Sequence, residues 1–346
     1  MEPGMVPSAP AMARPEGMPA APGPRRIRTA SDTGLPKRPP SPDCLAEPIK
    51  AVTLDSWDLL FPCIASDQLR YEESVGRGNT FEVFRGTFNG KDVAIKKTSV
   101  GNRVQARKRH VMFSREAAIL GKVKHPNLAV FYGVCFDEQE LCVITEFCLG
   151  GCCHELLHHS SDMDLSWPQK LKMCRDVACA MHYLHSLQPQ IIHRDLKSMN
   201  LFCAQFIFAD TIPLIKVSDL GMARMKDLEE EWQRMTKAVG SCHWMAPEVM
   251  SGTYGVTADV YSYSMCLFEI ICRLVPWPED EGSDIIEAVL SGERPDVTEV
   301  PPDCPAKLKD LMIACWAHDP TDRPTSREII DILASVRLLK RIKEAL

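Results

Sequence analysis

The sequence predicts an α+β fold in two lobes, a β-rich small lobe followed by a mainly helical large lobe. Three observations carry that expectation. Residues 67–148 alternate short β-branched and aromatic runs, 81–88 and 91–96 among them, with turn residues, and Asn89-Gly90 between those two runs is a strong hairpin signal. From Gly150 onward apolar residues recur at helical spacing, as over 171–187 and 326–346. Residues 1–48 hold 12 of the 26 prolines and almost no aliphatic periodicity, so they bury too little apolar surface to order themselves. The expected organisation is a Pro-rich tail over 1–48 and a linker over 49–66. A folded region follows over 67–335, its lobes meeting at 148/149, and 336–346 end a terminal helix.

Composition narrows the function classes. With 346 residues, 45% of them hydrophobic and 25% charged, the chain can bury a sizeable core. A net charge of −6 leaves no global basic footprint, so nucleic acid is not an implied partner. No apolar run reaches membrane-spanning length, and the amino terminus lacks the apolar block of a secretory signal. The fifteen cysteines are scattered through apolar segments, which reads as reduced thiols in a cytoplasmic protein.

Within the folded region the small lobe opens on Gly76-Arg77-Gly78-Asn79-Thr80-Phe81-Glu82-Val83, glycines that let a backbone close over phosphate oxygens. Taken alone, an ordinary strand turn explains them as well. Val93-Ala94-Ile95-Lys96 then places a lysine in a strand, and a buried lysine needs an acidic partner. One helical stretch, about 104–121, offers Glu116; Lys97 and Arg115 stand close by as alternatives for the pair. Leu141-Cys142-Val143-Ile144-Thr145-Glu146-Phe147-Cys148 is a further apolar strand. The large lobe carries His193-Arg194-Asp195-Leu196-Lys197-Ser198-Met199-Asn200, a carboxylate with an amide oxygen five residues on, which suits orienting a hydroxyl beside a metal. Ser218-Asp219-Leu220-Gly221 ends another apolar run. Gly240-Ser241-Cys242-His243-Trp244-Met245-Ala246-Pro247-Glu248, Ala258-Asp259-Val260 and Asp319-Pro320-Thr321-Asp322-Arg323-Pro324 complete the series.

In this order, over about residues 67–335, the motifs resemble protein kinases, and within them the tyrosine-kinase-like group that includes the mixed-lineage and Raf kinases. The resemblance implies a bilobal protein kinase fold with ATP between the lobes and Mg²⁺ as cofactor. It also implies γ-phosphoryl transfer to serine or threonine of a protein substrate. Asp195 would orient the incoming hydroxyl and Lys197 balance the γ-phosphate charge. Gly76 and Gly78 would cover the phosphates, Lys96 would contact them with Glu116 as its partner, and Asn200 and Asp219 would hold the metal. Thr145 would be the gatekeeper, with backbone groups from Glu146 to Cys148 bonding the adenine. Val83, Ala94 and Phe202 would sandwich it, although each of these three also fits plain core. Asp259 would anchor the catalytic loop, and Glu248 would pair with Arg323. Two departures stand out: Phe81 replaces the third glycine of the loop, and Leu220 replaces the phenylalanine of D-F-G. They also fit a pseudokinase, an ATP-binding scaffold without turnover. Arg194 implies an activating phosphate from an upstream kinase, with Thr236 as the acceptor or the acidic run 229–231 in its place, and Ser241 structural.

Other features stay open at this level. His154-Glu155-Leu156-Leu157-His158 is a literal H-E-x-x-H, but no glutamate occurs between Glu155 and Glu229 to act as third ligand, and Ser161 stands where metzincins carry glycine. It reads as a surface helix beside the cleft. Cys152, seven residues past Thr145 at that helix's start, is expected to favour the thiolate and to be alkylated before the other cysteines; the alternative is a buried Cys152 and an exposed Cys153. An extra loop over 204–213 has no assigned role. The terminal helix, with Ile329, Ile332, Val336, Leu339 and Leu346, fits either a short coiled coil or packing on the large lobe. Arg26-Ile27-Arg28-Thr29-Ala30-Ser31 reads as a basophilic phosphorylation site.

Overall fold

The computed structural model describes residues 62–78, 81–99, 116–136, 140–160, 163–225, 242–250, 252, 255–278 and 282–336. The Pro-rich tail with its Arg26–Ser31 site, Arg115, the acidic run 229–231, Thr236, Ser241 and residues 337–346 lie outside them.

Five strands make the small lobe: β1 (Leu69–Arg77), β2 (Glu82–Phe88), β3 (Lys91–Ser99), β4 (Phe131–Phe136) and β5 (Glu140–Glu146). They form one antiparallel sheet in the order β1-β2-β3-β5-β4, the all-antiparallel arrangement that short connections between strands allow. Phe88 pairs with Lys91 across the two-residue Asn89-Gly90 turn, whose positive φ angles of 49° and 73° give the twist a hairpin requires. Gly86 sits where a Cβ would lie 2.3 Å from the Arg70 carbonyl oxygen, so a larger residue would push β1 off β2. Val93, Ile95 and Ile144 are fully buried on one face of the sheet, with Ile64, Leu69, Cys135 and Cys142. Only the end of the helix expected over 104–121 is described, α1 (residues 116–120).

The large lobe holds α2 (Cys153–His158), α3 (Trp167–Ser186), α4 (Pro247–Met250), α5 (Val256–Cys272), α6 (Gly282–Ser291), α7 (Ala306–Cys315) and α8 (Ser326–Ser335). Short strands β6 (Ile191–Ile192), β7 (Leu201–Cys203), β8 (Ile215–Val217) and β9 (Arg224–Met225) form two small ladders, β6 with β9 and β7 with β8. Helix α3 begins four residues before the apolar periodicity, because Ser166 and Gln169 form a capping box around the first turn. Every residue of α5 from Ala258 to Ile271 is buried, the signature of a helix at the centre of a lobe.

Helix α8 ends at Ser335, where Val336 turns extended (φ −68°, ψ 117°), and the part of the expected helix beyond it lies outside the described residues. Its buried residues are Ile329, Ile330 and Leu333, which join the large-lobe core, so packing rather than a coiled coil accounts for the described part. The 204–213 loop is pinned by Gln169, whose amide donates to the Phe208 and Thr211 carbonyls at 2.8 and 3.0 Å, while Phe206, Phe208 and Ile212 stay exposed. Among the described residues no helix is long and apolar enough to cross a membrane.

Candidate active site

Strand periodicity assembles the upper wall. Val83 pairs with Lys96 and Lys96 with Val143, while Ala94 pairs with Thr145. Because alternate residues of a strand share a face, Val83, Ala94, Lys96 and Thr145 line one side of the sheet, opposite Val93 and Ile95 in the core. All four are half-buried. Lys97 points to the other side and pairs with Glu140 at 2.7 Å, which removes it as the lysine of the site.

Lys96 lies between two carboxylates, 2.7 Å from Asp219 Oδ1 and 3.2 Å from Glu116 Oε1. Burial disfavours its ammonium, but the two acids outweigh burial and hold Lys96 above its ordinary range. Glu116 moves up, because burial outweighs the lysine at the longer distance and Asp219 adds a like charge. Asp219 moves down: burial raises it, yet the shorter contact with Lys96 and the Gly221 N–H more than compensate. Above the cluster, Phe81 folds inward. Lys96 Nζ sits 4.8 Å from its ring centroid, and a Cβ on Gly78 would meet the ring at 2.7 Å. Gly78 donates its N–H to the Phe81 carbonyl at 2.9 Å, and Gly76 pairs with Val83.

The lower wall is the loop after β6. Lys197 donates to Asp195 Oδ1 at 2.9 Å, and Asn200 Nδ2 donates to the Asp195 carbonyl at 2.7 Å and to Oδ2 at 2.9 Å. The Ser218 N–H donates to the Asn200 carbonyl at 2.9 Å, which ties this group to the Lys96 cluster one residue before Asp219. Arg194 (φ 72°) and Asp219 (φ 59°) both occupy the left-handed region, a cost of order 1–3 kcal/mol each that surrounding contacts must hold. Those contacts are present. Asp259, at the buried start of α5, accepts from the His193 and Arg194 N–H groups and from His185 Nε2, each at 2.8 Å. Burial pushes its carboxyl up, but the three donors outweigh burial and depress it. Leu220 is buried in the large core, so its side chain fills an apolar slot without phenylalanine.

At the lobe junction, Glu146 donates its N–H to the Val130 carbonyl at 2.7 Å, which takes that group out of the set expected to bond a base. Its carboxylate pairs with Lys216 at 2.9 Å, a link that the strand pattern of 214–217 did not disclose. Lys216 faces Phe202 across β7 and β8, so Phe202 stands half-buried below the junction. Cys148 is buried there and its thiol is pushed up to about 12 by burial. Farther out, Arg323 holds Glu248 in a two-point ion pair at 2.6 and 2.8 Å.

The thiolate expected at Cys152 is not favoured, although the residue is partly exposed as expected. Cys152 caps α2 and directs its Sγ to the Ser198 and Met199 carbonyls at 3.6 and 3.5 Å. Burial raises its thiol, and the His154 and Glu155 N–H groups at the start of α2 offset that only in part. Cys153 is fully buried, so it is not the exposed alternative. Among the fourteen described cysteines only Cys63 is exposed. Limited iodoacetamide treatment should therefore modify Cys63 before Cys152, as read by peptide mass mapping; faster labelling at Cys152 would show that its environment favours the thiolate after all.

The H-E-x-x-H segment also differs from expectation. Glu155 is exposed and pairs with His159 at 3.0 Å, so no general base overlooks the two histidines. The acid that joins them is Glu269, 111 residues beyond His158 and fully buried in α5. A lone glutamate inside the apolar run 265–271 was the sequence signal for it.

Comparison with known proteins matches residues 69–333 to the sequence model of the family described as protein tyrosine and serine/threonine kinase. The chain is 36% identical over 262 residues to the probable serine/threonine-protein kinase drkD of Dictyostelium discoideum, covering 75% of this chain and 19% of that protein. It is 35% identical over 296 residues to the serine/threonine-protein kinase STY17 of Arabidopsis thaliana, 84% of this chain and 47% of the relative. With the dual specificity protein kinase splA of Dictyostelium discoideum it shares 33% over 276 residues, 76% of this chain and 11% of the other. The chain thus spans less than half the length of each of these curated relatives.

Proposed function

Because this chain belongs to the protein tyrosine and serine/threonine kinase family, we propose that it transfers the γ-phosphoryl group of ATP to serine and threonine hydroxyls of protein substrates. The observation that carries this reading is the Lys96–Asp219–Glu116 cluster, joined through Ser218 to the Asp195–Lys197–Asn200 loop. The kinase domain runs over 67–335, with its lobes meeting at 148/149. Asp195 orients the incoming hydroxyl and accepts its proton, while Lys197, already at its carboxylate, follows the transferring phosphoryl group. Glu116 holds Lys96 against the α and β phosphates. Gly76 and Gly78 cover those phosphates, and Val83, Ala94 and Phe202 enclose the adenine beside Thr145, Cys148 and the Glu146 carbonyl.

Asp219 and Asn200 offer a carboxylate and an amide oxygen, the hard donors that suit Mg²⁺, and Asn200 turns its nitrogen toward Asp195, which leaves its oxygen as the acceptor end. Bound there, Mg²⁺ would neutralise phosphate charge. Serine and threonine are favoured by Lys197 and by the resemblance to relatives named as serine/threonine-protein kinases. An activating phosphate from an upstream kinase would be drawn to Arg194. The cysteines are scattered through apolar segments rather than spaced as a framework, which supports a reducing, cytoplasmic setting.

Mg·ATP-dependent phosphorylation of the purified chain, lost in Asp195→Asn, tests the assignment. Equal incorporation in the variant would reject it. One observation favours a second reading, a nucleotide-binding scaffold without turnover: the Phe81 ring already covers Lys96. Under the kinase reading Phe81→Gly should lower the KM for ATP by roughly fivefold, the factor given by about 1 kcal/mol of cation–π competition removed. An unchanged or higher KM would show that the ring does not compete with phosphate.

A further inference from the structure

The H-E-x-x-H segment is the one motif that phosphoryl transfer leaves unused, and the fold completes it from a distant helix. His158 Nε2 lies 3.0 Å from Glu269 Oε1 and His154 Nδ1 lies 3.8 Å from the same oxygen. All three donor atoms fall within 4.8 Å of one another. A tetrahedral zinc ion with bonds near 2.0–2.1 Å requires donors about 3.3 Å apart, so the two edges to Glu269 need about 0.3 and 0.5 Å of adjustment, and the imidazole–imidazole edge closes by up to about 1.5 Å through side-chain rotation.

We propose that His154, His158 and Glu269 form a Zn²⁺ site that clamps α2 to α5 beneath the catalytic loop. The spacing has a simple origin: residues four apart on one helix present both imidazoles to the same side. Glu269 arrives from the central helix with its side chain fully buried, while the His154 and His158 side chains are 16% and 8% exposed, which leaves an entrance. The carboxylate is held as ligating carboxylates usually are. Trp244 Nε1 donates to Oε2 at 2.7 Å, and Ser198 Oγ donates to Oε1 at 2.5 Å. Ser198 Oγ is also 3.1 Å from His154 Nδ1, so the hydroxyl, or water in its place, stands ready as the fourth ligand. Two imidazoles and one carboxylate favour zinc over magnesium, which prefers an all-oxygen octahedron. Glu155, exposed and turned to His159, supplies no base, so the site is structural and not proteolytic.

The chain, freed of metal by EDTA and kept reduced, should take up one equivalent of Zn²⁺ and melt at a higher temperature, while Mg²⁺ at the same concentration gives no such rise. His154→Ala with His158→Ala should lose that equivalent, or bind it at least roughly tenfold more weakly, with the far-ultraviolet dichroism of the metal-free chain unchanged. Cobalt added to the wild-type chain is a readout that does not depend on the variant folding. A tetrahedral ligand-field spectrum without sulfur-to-cobalt charge transfer supports nitrogen and oxygen ligation. Thiolate bands, uptake unaltered in the double variant, or no uptake at all would overturn the proposal.

Discussion

Lys96→Met and Asp219→Asn should each lower phosphoryl transfer by about a thousandfold or more while the chain still folds. Both side chains face the cleft and pair with each other at 2.7 Å rather than packing into either core. Loss of one preorganised charge at a site where charge develops typically costs about a hundredfold to a thousandfold, and here the partner is also left misplaced. The fold survives because neither side chain belongs to a hydrophobic core, and burial already raises the Glu116 carboxyl beside them. Phosphate incorporation and the melting temperature should be measured on the same preparations. Activity within tenfold of wild type in either variant would remove these residues from the reacting site.

Asp259→Ala should cost about 3–5 kcal/mol of stability and most of the activity together, since removing one partner of a buried polar group orphans the others. The orphans are the His193 and Arg194 N–H groups and His185, and the first two fix the left-handed turn at Arg194 that sets Asp195. The sign of the pH dependence follows from the depressed carboxyl of Asp259. Its stabilisation is fully present above the ordinary aspartate value of about 4 and fades as pH falls through the lower folded value. Chemical denaturation of wild type and variant should therefore differ most near neutrality and converge in acid. A gap that widens toward low pH would contradict the assignment.

Much of the candidate site's local geometry was legible in the sequence because each motif is a local device. The hairpin needed only Asn89-Gly90, the upper wall only the alternation through Val93-Ala94-Ile95-Lys96, and the loop only the five-residue interval from Asp195 to Asn200. The same locality explains the ends of α3 and α8, where capping boxes at Ser166 and Thr325 fix the first turns.

What the sequence determined by itself is the set of chemically committed residues and their order along the chain, since strand period, turn chemistry and loop spacing act over a few residues. Tertiary structure decided which of them meet and in what electrostatic state. Lys96 could have been read with Lys97, but only the sheet sends Lys97 to Glu140. Phe81 looked like a missing glycine until its ring lay over Lys96. Cys152 looked activated until burial outweighed the N–H groups at the start of α2. His154 and His158 lacked a third partner until α5 carried Glu269 beside them from 111 residues away. Each of these outcomes depends on burial and on contacts between distant segments, and both come into being only when the chain closes on itself.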